Sequence, residues 1–196
     1  MKKKQTPSQT VGPFFAYGLT PEQYDYDLTS IAVPEVGGQD VEGERIRIEG
    51  QVFDGEGAPI GDAMIEIWQA DAAGRYAHSA DGRGSNANFT GFGRVGTGTD
   101  PQQRFFFETI RPGAVGNGQA PHVNVVVFMR GMLSHAYTRI YFPENAKAHA
   151  SDPVLSSVPA ERRETLIAQL DESGAIRVYR FDIHMQGPQE TVFFDV

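Results

Sequence analysis

The stretch APHVNVVVFMRG, residues 120–131, places His122 and Asn124 two positions apart in a run of β-branched residues. Side chains of a strand alternate, so the two share one face. Two imidazoles at that spacing could hold one metal ion, but an amide is a poor donor to a transition metal. His122 alone also fits a hydrogen-bonded structural histidine. Tyr76 follows a glycine turn in ADAAGRYAHS. It fits either a packing residue with a wet hydroxyl or a phenolate, a hard anionic donor suited to ferric iron. Arg130 lies an even number of residues beyond His122, at a distance of roughly 27 Å along a regular strand. Such an Arg is either a solvated strand end or a cation that serves another chain's site.

Strands must position these groups. RIRIEGQVF (45–53) and AMIEIWQAD (63–71) alternate polar and apolar residues. RFFFETI (104–110), HVNVVVFMR (122–130) and HAYTRIYF (135–142) are β-branched and aromatic. All five read as strands. AIRVYRFDIHMQG and ETVFFDV read as a terminal hairpin joined by GPQ. One helix is expected over SVPAERRETLIAQLDESG, with Pro159 in its first turn, Leu166, Ile167 and Leu170 on one stripe and Gly174 as its stop. Many strands with one late helix predict a mainly β fold, an antiparallel β-sandwich. Residues 1–43 are rich in Pro, Gly and Thr and read as an irregular N-terminal arm, with the sandwich domain over 44–196. The aromatics of the arm are too many for a free tail, so it is expected to pack on its own domain, a partner or both. The long polar stretch from Tyr76 to about Asp100 is a candidate site wall. Within it, GFGRVG (91–96) matches a dinucleotide-binding pattern but leads into no helix, so it reads as a loop crossing the sandwich end.

Composition removes several functions. There is no Cys among 196 residues, which excludes disulfides, thiol catalysis and cysteine zinc sites. The net charge of −8 disfavours nucleic-acid binding through a general basic field. An anionic ligand would need a local Arg or Lys. The basic start, MKKKQTPSQT, is not followed by the apolar run of a signal peptide, so a cytoplasmic location is expected. No apolar run reaches membrane-spanning length.

Taken together, TPSQTVGPFF, IEIWQADAAGRY, TIRPGAV, APHVNVVVFMRG, RIYFPE, RRETLIAQL and YRFDIHMQGPQETVFFDV resemble the intradiol ring-cleavage dioxygenase family. The match is to the α subunits of its two-subunit members and runs from about residue 6 to the C-terminus. The resemblance implies a β-sandwich whose arm interlocks with a homologous β subunit. It implies cleavage of protocatechuate between its hydroxyls by O2, giving 3-carboxy-cis,cis-muconate at a non-haem Fe(III). In the family's catalytic β subunit two Tyr and two His hold that iron. Carried onto this sequence, the motifs keep Tyr76 and His122. They put Val115 where the second Tyr belongs, Asn124 where the second His belongs, and Gln119 where an Arg precedes the His pair. Half of the donors are missing, so the resemblance implies no iron site in this chain and Fe(III) held by the partner β subunit. It assigns Thr10, Pro13 and Arg130 to the substrate wall of the partner's site. The alternative is a scaffold subunit with no substrate contacts.

Overall fold

The computed structural model describes residues 12–84, 86 and 88–196. Among the described residues nine strands form two layers. The first sheet contains β1 (Arg45–Phe53), β4 (Arg104–Ile110), β7 (Gln169–Asp171), β8 (Arg177–Arg180) and β9 (Ile183–His184). Its order is β4-β1-β8-β7, with β9 also on β1. The second contains β2 (Met64–Gln69), β3 (Phe92–Gly96), β5 (His122–Phe128) and β6 (Ala136–Tyr141), in the order β3-β2-β5-β6. Every pair in the second sheet is antiparallel. The first is mixed, because β8 and β9 run parallel to β1.

Alternation along the strands builds the core. β1 alternates half-buried and buried residues along its whole length, which turns Ile46, Ile48 and Val52 inward. They meet Ile65, Ile67, Val123 and Val125 from the second sheet, all essentially without solvent contact. Burying one such side chain contributes about 1.5–3 kcal/mol. A second, smaller cluster of Ala120, Tyr141, Leu155, Val158 and Leu166 lies apart from the first. Its Tyr141 stands opposite His122 at the start of β5.

That second cluster explains why the expected helix over SVPAERRETLIAQLDESG is not formed. After a one-turn helix α2 (Ala146–His149), a short helix α3 (Pro153–Ser157) ends before Val158, which is held extended by Pro159. A 3-10 helix follows over Ala160–Leu166. The chain then extends, with the Ala168 amide donating to the Tyr141 carbonyl at 2.9 Å. Leu166 enters the small cluster, and Leu170, on β7, packs against the main core. The apolar stripe serves two cores and cannot be one helical face.

Three other expectations are corrected. GFGRVG is no end loop: Phe92–Gly96 is strand β3. Gly93 is needed there, since a Cβ would stand 2.8 Å from Val36 and 3.1 Å from Phe107. The arm is not wholly irregular, because Pro13 opens a helix α1 (Pro13–Leu19). Beyond it Gln23 clips the chain to β3, donating to the Gly96 carbonyl at 2.7 Å and accepting from its amide at 2.8 Å. The C-terminal segment makes no regular hairpin. Thr191 bonds back to His184, but the Phe194 amide then donates to the Tyr137 carbonyl at 2.8 Å, tying the tail to β6.

A buried amide bridges the two layers. Gln69 on β2 is fully buried; its Nε2 donates to the Ile110 carbonyl at 2.9 Å, and its Oε1 accepts from the Thr109 hydroxyl at 2.9 Å. Removing the amide leaves both groups of β4 without partners. Gln69→Leu is therefore expected to lower the unfolding free energy by about 1–3 kcal/mol in urea titrations. Adding Thr109→Val should recover part of that loss; a Gln69→Leu chain as stable as the parent would refute the bridge.

Candidate functional site

The site begins with a turn. Asp71 follows β2 and caps residues 71–75: its Oδ1 accepts from the amides of Ala73 and Arg75, each at 2.9 Å, and its Oδ2 accepts from Arg75 Nε at 2.9 Å. Burial pushes the Asp71 carboxyl up, but the hydrogen bonds and charge of Arg75 outweigh it and hold it below the usual range. Gly74 sits at φ +76, and a Cβ there would stand 1.9 Å from the Ala114 carbonyl oxygen. This close approach packs the turn that delivers Tyr76 onto the PGAV segment that carries Val115. Asp81 then holds the next loop, accepting from the Tyr76 amide at 2.9 Å while pairing with Arg83.

The register of β5 delivers the other groups. Asn124 stands opposite Trp68 on β2 and Arg139 on β6, and His122 stands opposite Tyr141. Asn124 Nδ2 donates to the Trp68 carbonyl at 3.2 Å and to the Tyr76 hydroxyl at 3.4 Å. The Tyr76 ring stacks on Trp68, centroids 5.7 Å apart. A cavity of about 580 Å³ opens beside this stack, walled by His78, Asp81 and Arg83 from the loop expected to line a site. Tyr76 and Asn124, singled out in the sequence by donor chemistry and motif order, thus touch. His122 lies two residues away on the same strand face.

His122 is 1% exposed. Its Nδ1 lies 2.8 Å from the Ala120 carbonyl, which only accepts, so Nδ1 carries the proton. Nε2 is left as a bare lone pair with no hydrogen-bond partner. Burial, with the Arg139 charge adding, pushes the imidazole pKa down to about 4. Burial also pushes the Tyr76 phenol up, against the hydrogen bond from Asn124 and the Arg139 charge.

These residues do not fit ferric iron. Val115 offers hydrocarbon, and Asn124 turns its NH2 toward the Tyr76 oxygen, where a metal would need a lone pair. Two donors remain, Tyr76 and His122, and ligand number and geometry set metal affinity. Among the described residues no three His, Cys, Asp or Glu side chains form a group able to hold a metal ion.

The other expected site residues lie elsewhere. Arg130 follows the end of β5, so the length of the strand separates it from His122. Its side chain is 63% exposed and ion-paired with Asp62. Pro13 opens α1. Thr10 falls outside the described residues. Among the described residues no helix is long and apolar enough to cross a membrane.

Sequence reasoning did not single out Trp68, Asp71 or Arg139 as site residues. Arg139 was legible in principle, because closing the β5–β6 hairpin about Gly131 and Met132 pairs it with Asn124.

The His122 shift has a consequence for stability. An imidazole in the unfolded chain titrates near 6.5, above the folded value of about 4. The unfolded state thus binds the proton first, and stability falls as pH drops from about 6.5 toward 4. The full contribution is at most roughly 3 kcal/mol. Urea titrations across that window are expected to show the fall in the parent chain and a shallower one in His122→Gln; parallel curves would refute it.

Comparison with known proteins shows the family. A family model described as dioxygenase matches residues 12–187. The chain is 57% identical over 194 residues to a protocatechuate 3,4-dioxygenase alpha chain of Burkholderia cepacia, covering 98% of each. It is 36% identical to the beta chain of that organism's enzyme, over 85% of this chain and 74% of the relative. An intradiol ring-cleavage dioxygenase from Tetranychus urticae shares the fold, with a TM-score of 0.61 at 17% identity, over 93% of this chain and 94% of the other. The chain belongs to the intradiol dioxygenase family.

Proposed function

We propose that this chain is the α subunit of a protocatechuate 3,4-dioxygenase. The partner β subunit holds Fe(III) and cleaves the ring of protocatechuate between its hydroxyls, with both atoms of O2 entering 3-carboxy-cis,cis-muconate. This chain supplies the assembly surface and one wall of the substrate pocket. The observation that carries the reading is the half-emptied donor set at Tyr76, Val115, His122 and Asn124 in a chain so similar, over its full length, to an alpha chain. A cysteine-free composition suits a reducing cytoplasm, where we place the complex.

In this reading residues 1–43 are the arm that meets the partner. Phe14 at 82% exposed and Ile31 at 99% support that role, because isolated aromatic and aliphatic side chains on an arm are suited to burial in an interface. Thr10, Pro13 and Arg130 contact the substrate. Protocatechuate carries a ring carboxylate, and in a chain of net charge −8 that anion needs a specific cation. Arg130 projects from a turn, exposed, and among the described residues its ion-pair partner is Asp62. A surface pair of this kind contributes about 0–1 kcal/mol. A carboxylate bound by Arg130 in a site closed to water would gain about 1.5–3 kcal/mol. The larger gain favours substrate over Asp62.

The same ion pair supports a second reading. If Asp62 keeps Arg130 neutralised in the complex, the chain is a scaffold with no substrate contact. Co-expression with the β chain and oxygen uptake on protocatechuate tests the assignment, with no turnover expected from this chain alone. Arg130→Ala in the assembled enzyme is expected to raise KM for protocatechuate about 10–100-fold with iron content unchanged. An unchanged KM with intact assembly would favour the scaffold. Tyr76→Phe is expected to leave the iron content of the complex untouched; loss of iron would show that Tyr76 is a ligand.

A further inference from the structure

Arg130 meets its counter-ion through the backbone. The β2–β5 pairing sets Met64 opposite Phe128 at the end of the ladder. Two residues further along each chain, in the same register, Asp62 stands opposite Arg130, and their side chains pair. Opposite charges facing each other across antiparallel chains attract, and the strands hold them at that spacing. The Asp62 side chain is 21% exposed against 63% for Arg130, so the anion is the sheltered partner and the cation faces outward. The turn that carries Asp62 also anchors the arm. A Cβ on Gly98 would stand 2.9 Å from the Gly61 carbonyl oxygen and 2.5 Å from the Tyr24 hydroxyl, so both crowd the same glycine. Tyr24 in turn packs edge-on against Tyr17 of α1, with ring centroids 4.9 Å apart. The helix that Pro13 opens and the cation Arg130 are thus both tied to the turn at Gly61 and Asp62.

We propose that Asp62 is a positioning residue for the carboxylate end of the substrate pocket: it holds Arg130 in the empty pocket, yields it to the substrate and reclaims it from the product. This deepens the proposed function and rests on its reading of Arg130 as the cation that binds the substrate carboxylate. The reaction gives such an exchange its use. The ring bond between the two hydroxyl-bearing carbons breaks, and each carbon gains one atom of O2 and becomes a carboxyl carbon. The substrate brings one carboxylate; 3-carboxy-cis,cis-muconate leaves with three, all ionised near neutral pH. A lone guanidinium would hold the triply charged product harder than the substrate. An anion fixed beside it weakens the hold on both, and on the product more, because Coulomb repulsion grows with the charge repelled. Asp62 thus trades some affinity for substrate against release of product, a step that sets the turnover rate of many enzymes.

The test uses the assembled α–β enzyme with Asp62→Asn, which can still accept from the Arg130 guanidinium through its amide oxygen but carries no charge. KM for protocatechuate is expected to fall about three- to tenfold, and the inhibition constant of 3-carboxy-cis,cis-muconate to fall further. The inhibition constant of catechol, which lacks the carboxylate, is expected to stay at the parental value. Asp62→Glu, which keeps the charge, is expected to stay close to the parent in all three. The effect of Asp62→Asn should vanish in an Arg130→Ala background. A raised KM in Arg130→Ala with parental constants in Asp62→Asn would overturn the role of Asp62 and leave the reading of Arg130 standing. An unchanged KM in Arg130→Ala would remove that reading, and the role of Asp62 with it. A catechol constant that falls as far as KM for protocatechuate would mark a general change in the pocket and overturn the proposal. Should Asp62→Asn prevent assembly, Asp62→Ser replaces it; a complex that assembles with neither would mark Asp62 as a structural residue and overturn the proposal.

Discussion

The register of β5 between β2 and β6 is the constraint on which the site depends. It fixes Asn124 against Trp68 on one side and Arg139 on the other, and turns the polar side chains of three strands onto one face. A slip of one residue would send His122 and Asn124 into the main core and Val123 and Val125 out of it. The hydrophobic demand of the sandwich thus holds the polar pocket in place. On the proposed reading of residues 76, 115, 122 and 124 as former ligand positions, packing keeps the strand positions in place, whatever the side chain at 124 can coordinate.

Two arginines mark opposite ends of the β5–β6 hairpin, and their surroundings differ. Arg139 reaches Gln119 and Tyr141 beside the small cluster under α3 and the 3-10 helix, half-sheltered from water. Arg130 projects from the turn after β5 and pairs with Asp62. On the proposed reading the first cation belongs to this chain's silent pocket and the second to the partner's working one. The long stretch between His122 and Arg130, awkward for a single small ligand, becomes the separation between two sites in a pair of homologous subunits.

Much of this was legible in the sequence. β1 and β4 carry strict alternation or aromatic runs, and their bounds follow from it. The contact of Tyr76 with Asn124 was foreshadowed by donor chemistry and by motif order. What escaped was set by tertiary demand. The segment after Pro159 has a helical stripe, yet Leu166 and Leu170 are drawn into different cores. GFGRVG has the composition of a loop, and only the packing of Val36 and Phe107 over Gly93 shows why a strand needs glycine there. Asp71, Trp68 and Gln69 lie in one strand and its turn, where pattern alone cannot separate a cap, a stacking ring and an interlayer bridge from ordinary strand polarity.

The central claim is that a four-donor pocket survives here in shape and has lost its metal. Anomalous diffraction at the iron edge, from crystals of the assembled α–β complex, tests it most directly. The account predicts one iron peak per pair, on the partner's side, and none between Tyr76 and His122. A peak at those two residues would contradict it.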